Sequence, residues 1–180
     1  MEYSKFIDKD LNMLQIIKSN KIVLMQSLVG SGGIVFTKKI IDKYLHEKKN
    51  ILIIDPVIEM KEKSYYRLGG DYSIYKDNLI LMNKDNSIKL LQELMKNPLP
   101  QNANIFINDI EFFWNRQSGM FEVRYHENEL SKVFIEFLLF AKKNNYNVLM
   151  RANTFEFLSY GRLTGTLVSE ATIIEYSRFD

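Results

Sequence analysis

The chain has 180 residues, 46% of them hydrophobic and 13% aromatic, with a formal net charge of +2. That length and apolar content suit one globular domain with a substantial core and exclude a disordered chain. A charge this close to neutral argues for neither nucleic acid nor a membrane surface, and the lack of cysteine excludes disulfides and thiolate sites.

No apolar run approaches the roughly 18 residues a membrane-spanning helix needs. The opening MEYSKFIDKDLN has no signal-peptide apolar core, so the expected location is the cytoplasm. His46 and His126 stand apart from each other, and no zinc site is expected.

Residues 1–20 read as an N-terminal helical extension, clearest over 10–19, where Leu11, Leu14 and Ile17 share one side. A strand over 21–28 follows and ends in a glycine cluster. The next helix, about 34–48, carries Phe36, Ile40, Ile41, Tyr44 and Leu45 on one face and charged residues on the other. ILIID is an unbroken apolar strand of the kind buried on both faces of a parallel sheet, and Pro56 stops it.

Residues 57–83 are irregular. Gly69-Gly70 marks a turn, and short strands at 72–75 and 79–82 read as a hairpin across Lys76, Asp77 and Asn78. Ser87 is placed to cap a helix that runs to Lys96. A strand over 104–109 leads into the aromatic cluster Phe112, Phe113 and Trp114, then a loose loop at 117–120. The helix at about 127–144 has the clearest period in the chain, with Leu130, Val133, Phe134, Phe137, Leu138 and Ala141 in one stripe. A strand at 146–150, short helices at 154–160 and 162–167, and a last strand at 172–176 complete the pattern. Strands alternating with helices predict an α/β fold, a mostly parallel sheet with helices on both faces.

The stretch KIVLMQSLVGSGGIVFTKK has the order strand, glycine-rich turn, helix, which is how a phosphate-binding loop is built. Its nearest motif is GxxxxGK[ST]. Aligned on Gly30, Ser31 and Gly32, Ser27 takes the first glycine position, Gly33 the lysine position and Ile34 the hydroxyl position. The lysine that would reach the β- and γ-phosphates is missing, as is the hydroxyl that would hold Mg²⁺. Read alone, the segment is better taken as a glycine turn ending a buried strand.

Four stretches in order resemble the RecA-like ATPase core of DNA-translocating machines, nearest the HerA and FtsK type and the conjugation (type IV secretion) ATPases. SLVGSGGI sits where those proteins have the Walker A loop. ILIIDPVIEM, then LGGDYSIY and LMN, is similar to their strand ending DPxxEY, their glycine pair and an asparagine that ends the next strand. IFINDIEFFW sits at the Walker B strand, and NVLMRANTFEFL resembles the strand whose glutamine senses the γ-phosphate. The resemblance implies a RecA-like, additional-strand P-loop sheet in the order 172–176, 21–27, 146–151, 104–108, 50–54.

It also implies site residues. Gly30, Ser31, Gly32, Gly33 and Ile34 would bind the nucleotide, and Asp109, Glu111 and Asn153 would occupy the catalytic positions. Each reactive position is altered. If the Walker B pair falls on Asn108 and Asp109, the metal-binding carboxylate is an amide and the catalytic acid is one methylene short. If Asp109 is instead the Walker B aspartate, Glu111 lies two residues on, out of phase along a strand. Asn153 stands shortened where the sensor glutamine would be. Arg116, Arg124, Arg151 and Arg162 are the candidates for an arginine finger reaching a neighbouring subunit.

The expected function is a catalytically degenerate P-loop ATPase-like domain that serves as a binding or scaffolding subunit, with ATP and Mg²⁺ bound weakly at most. The alternatives are an active translocating ATPase that borrows its cation from a partner's arginine or from Lys38 or Lys39, and a nucleic-acid-binding module without a nucleotide role. A protein partner, or self-association, is expected through residues 112–124, where Trp114, Phe121, Arg116 and Arg124 combine the residue types enriched at interfaces. The competing expectation is that Phe112, Phe113 and Trp114 pack inward under the long helix.

Overall fold

The computed structural model describes residues 2–28, 31–56, 75, 77–119, 123–154, 158 and 161–177. Helix α1 (Glu2–Ser19) leads into β1 (Ile22–Gln26), and α2 (Gly33–His46) into β2 (Ile51–Pro56). After β3 (Leu79–Met82) come α3 (Ser87–Lys96) and β4 (Asn104–Ile107). A 3₁₀ turn (Ile110–Phe113) follows, then β5 (Asn115–Ser118), β6 (Val123–His126) and α4 (Glu129–Lys143). The chain closes with β7 (Asn147–Ala152), α5 (Arg162–Glu170) and β8 (Thr172–Glu175).

Six strands form one sheet in the order β3-β2-β4-β7-β1-β8, and every pairing in it is parallel. This is the order expected from the motifs, with β7 between β1 and β4 and with β3 added beyond β2. The expected hairpin at 76–78 does not describe β3, which pairs with β2 in parallel, Ile53 opposite Leu79. The other arm expected at 72–75 lies outside the described residues except for Tyr75, as do Gly69 and Gly70. The helix expected at 154–160 also falls largely outside them.

Side chains along each central strand alternate between two cores, because successive residues point to opposite faces. Val23, Met25, Ile53, Phe106 and Leu149 pack with Ile17 of α1 and with Phe36, Ile40, Ile41 and Tyr44 of α2. Leu24, Ile54, Ile105, Ile107, Val148 and Met150 pack with α3, α4 and α5. The α4 stripe is buried as its period predicts. Asn128 and Ser131 cap this helix reciprocally, the Ser131 amide donating to Asn128 Oδ1 at 2.9 Å and the Asn128 amide to Ser131 Oγ at 2.7 Å. Helix α3 begins differently from expectation. Asn86 is its N-cap and makes no side-chain cap bond, while Asn83 Oδ1 accepts from the amides of Asp85 and Asn86.

The aromatic cluster after β4 packs inward. Trp114 and Phe113 are at most 1% exposed and Phe112 is 9% exposed. Phe113 stacks on Phe134 of α4 with centroids 4.0 Å apart. This corrects the expectation of an aromatic docking surface: three large rings gain more by leaving water under α4 than by standing open. The loose loop expected at 117–120 is in part β5, which pairs antiparallel with β6. Strand β5 is exposed along its whole length, so it shows no apolar alternation by which to find it.

Candidate functional site

Three central strands, β1, β7 and β4, end side by side, and their carboxyl ends bring together the residues singled out in the sequence. This crevice is where open α/β sheets place ligands. The Ser27 amide donates to Ala152 O at 2.9 Å, which ties the exit of β1 to the end of β7.

Beyond β1 the chain turns into α2 through Gly32, whose φ of 87° and ψ of 3° form a left-handed N-cap that glycine adopts without strain. No side chain caps α2, and its first turn holds no acid. The first amides of a helix have no intrahelical acceptor, so this end presents N–H groups and the positive end of the dipole. Ser31 is 8% exposed, and its hydroxyl lies 2.8 Å from that of Ser27. Gly33 begins the helix and is buried, and Ile34 is half-buried beside it. Gly30 lies outside the described residues.

A Cβ added to Gly33 would overlap both Oγ and Cβ of Ser27, while the Ser27 Cα would remain at 3.7 Å. Rotating the serine hydroxyl away leaves its Cβ in place. The position that carries lysine in the phosphate-binding motif therefore accepts no side chain here unless Ser27 or the backbone moves.

At the end of β4 the backbone leaves the extended conformation. Asn108 is buried, and its amide donates to Ile54 O at 3.0 Å. Asp109 then takes a left-handed conformation, φ 48° and ψ 54°, and opens the 3₁₀ turn. Across that turn Asp109 and Glu111 both reach Asn153 at the end of β7. Asn153 Nδ2 donates to Asp109 Oδ1 at 2.9 Å and to Glu111 Oε1 at 2.7 Å, and its amide donates to Glu111 Oε1 at 3.1 Å. All three expected catalytic residues are thus in one cluster.

The residue that sequence reasoning placed wrongly is Arg151. It is 3% exposed, so it cannot reach a neighbouring subunit as an arginine finger. Its Nη2 donates to Asp109 Oδ1 in a buried ion pair, and its Nη1 donates to Asn153 Oδ1 at 2.8 Å. The amide of Asn153 is committed on both sides, accepting from the guanidinium and donating to the two carboxylates. Glu111 Oε2 is buried and has no hydrogen-bond partner among the described residues. Burial pushes the Glu111 carboxyl above its usual range, and the Asp109 charge adds to this against the lowering effect of its hydrogen bonds.

Lys38 and Lys39, the lysines nearest the loop in sequence, are engaged elsewhere. Lys38 pairs with Asp42 and Lys39 with Asp10, each at 3.4 Å. Among the described residues no group of three or more histidine, aspartate or glutamate side chains is arranged to hold a metal ion. No described helix is long and apolar enough to cross a membrane.

No protein-family model matches the sequence, and no curated protein matches it. Among solved structures, the chain is similar to the genome packaging NTPase B204 from Sulfolobus turreted icosahedral virus 2, in complex with sulfate. The two share a TM-score of 0.50 over 89% of this chain and 76% of that one, at 12% identity. A likeness at that identity is one of fold, an α/β fold built on a parallel sheet with helices on both faces.

Proposed function

We propose that this chain is a P-loop ATPase-like protein that has lost catalysis and serves as a binding or scaffolding subunit, in an assembly of the DNA-translocating or conjugation type. The observation that carries the reading is the contact between Ser27 and Gly33, which leaves no room for a lysine where the motif needs one. Phosphoryl transfer depends almost wholly on positioning and on charge set against the phosphates, so a loop without that cation has lost its main contribution. The acidic side of the crevice supports the same reading. Asp109 is engaged in an ion pair with Arg151, and Asn153 is held by its neighbours rather than free to sense a phosphate.

The main chain of the loop still offers a helix N-terminus to an anion, so the reading keeps weak binding of ATP or phosphate. Docking through the region after β4 rests on the exposed Arg116 and Gln117 of β5, since Phe112, Phe113 and Trp114 are buried and Phe121 lies outside the described residues.

One observation favours a second reading, an active ATPase with a substitute cation. Arg151 lies opposite Met25 in the β1–β7 register, two residues before Ser27. Exchange of its partner from Asp109 to a phosphate would bring a charge to the loop.

Hydrolysis of ATP with Mg²⁺ by the purified chain, followed alongside a calorimetric titration with ATP, tests both. The expected result is weak binding with no turnover above background. Turnover that disappears in Asp109→Ala would overturn the degenerate reading, and its loss in Arg151→Met would support the second.

A further inference from the structure

Helices α1 and α2 both end at the amino-terminal edge of the sheet, the edge opposite Ser27 and Asp109. Between them, over the starts of β4 and β7, lies a cleft of about 560 Å³. Small-molecule sites fall in the range of roughly 300–1,000 Å³. Its floor and walls are apolar: Phe106, Leu149, Tyr44 and Ile17 are each less than a tenth exposed.

The mouth is of a different chemistry. Lys18, Lys48, Asn50 and Gln101 line it, and their side chains make no hydrogen bond or ion pair among the described residues. Behind them is a fixed polar row, in which Lys21 Nζ donates to Asn147 Oδ1 at 3.1 Å and Asn147 Nδ2 to Asn104 Oδ1 at 3.2 Å. Lys49 adds a further cation 4.0 Å above the Tyr44 ring. No carboxylate lines the cleft. The nearby Glu47 is occupied by Lys49 at 2.7 Å.

A lysine in the last turn of a helix offsets the helix dipole, and Lys18 has that role open to it. Lys48 does not, since it lies beyond α2 in a left-handed conformation with φ 53°. The dipole also gives no account of two free carboxamides beside an apolar floor. Lysines act as point charges for phosphate. Carboxamides offer a donor and an acceptor together, which matches the edge of a nucleobase. An apolar floor takes a ring.

We propose that this cleft is a second site, for a nucleoside monophosphate unit, either free or at the end of a nucleic-acid strand. Lys18 and Lys48 hold the phosphate, Asn50 and Gln101 read the edge of the base, and the ring sits over the Phe106 and Tyr44 side of the floor. The site does not depend on the Gly-rich loop, from which the length of the sheet separates it.

Calorimetric titration of the full chain without Mg²⁺ tests the assignment, using AMP, a 5′-phosphorylated adenine dinucleotide and inorganic phosphate as probes. AMP or the dinucleotide is expected to bind more tightly than phosphate, and the tighter of the two identifies the source. In Lys18→Glu with Lys48→Glu this binding should weaken roughly tenfold or more, because two charge-assisted contacts become repulsive. Both residues are exposed, so the loss of stability should stay small, and a cooperative melt well above the titration temperature excludes unfolding as the cause. The proposal is overturned if neither nucleotide binds at about 1 mM. It is equally overturned if phosphate binds as well as AMP, or if binding survives the double substitution, which would assign it to the loop.

Discussion

Ser27 and Gly33 share one space: the side chain of the first lies where the Cβ of any larger residue at the second would project. In the phosphate-binding motif these positions are glycine and lysine, six residues apart, and here the pair is serine and glycine. On the proposed reading of this loop, the two departures are one structural change. A bulkier residue at the start of the loop requires the smallest residue at its end.

Gly33→Lys alone is expected to destabilise the chain by about 1–3 kcal/mol, the usual cost of forcing atoms into a filled space. Adding Ser27→Gly removes both overlapping atoms and leaves the Cα of residue 27 at 3.7 Å from the new Cβ, which is ordinary contact. The double variant should regain most of the lost stability and bind ATP more tightly than wild type. Urea denaturation and calorimetry check the two halves separately. If Ser27→Gly recovers no stability in the Gly33→Lys background, the steric account fails.

The pair formed by Arg151 and Asp109 makes a second prediction. Removing one partner of a buried ion pair leaves the other charge without compensation, at about 3–5 kcal/mol. Arg151→Met should show a loss of that size. Combining it with Asp109→Asn should cost clearly less than the two single changes added together, with a coupling of about 0.5–3 kcal/mol. Strict additivity in a double-mutant cycle would show that the two charges do not depend on each other.

Glu111 should make stability depend on pH. Its carboxyl is raised in the folded chain, chiefly by burial. The folded state then holds a proton that the unfolded state releases, so this contribution is complete below the ordinary carboxyl range and is lost as pH rises through the folded value. Thermal melts at about pH 7.5 and about pH 5 should show wild type gaining on Glu111→Gln as the solution is acidified. An equal gap at both values would place the titration of Glu111 outside this window.

Trp114→Ala is expected to cost about 3–5 kcal/mol, as a large ring removed from a filled core does. Arg116→Glu, on exposed β5, should stay within about 0.5 kcal/mol of wild type. Chemical denaturation separates the two. For any test of self-association through this region, Arg116→Glu is accordingly the informative change.

Much of the architecture was legible because local chemistry sets it. The apolar runs at 51–55 and 104–107 admit little but buried parallel strands, and the spacing of Leu130, Phe134, Phe137 and Ala141 admits little but a helix. The strand order was read from the succession of motifs, since no local pattern states which strands pair. The sequence also placed Asp109, Glu111 and Asn153 together, because they end neighbouring strands. What it could not contain is the outcome of contacts between distant positions. Asp109 meets a guanidinium 42 residues away only because β4 and β7 are adjacent and the chain turns left-handed at that point. The charge of the chain, nearly balanced in sum, gathers Lys18, Lys48 and Lys49 at one mouth because two helices end at the same edge. Period and composition act along the chain and can be read from it; exclusion of one side chain by another acts through space, and only the folded structure decides it.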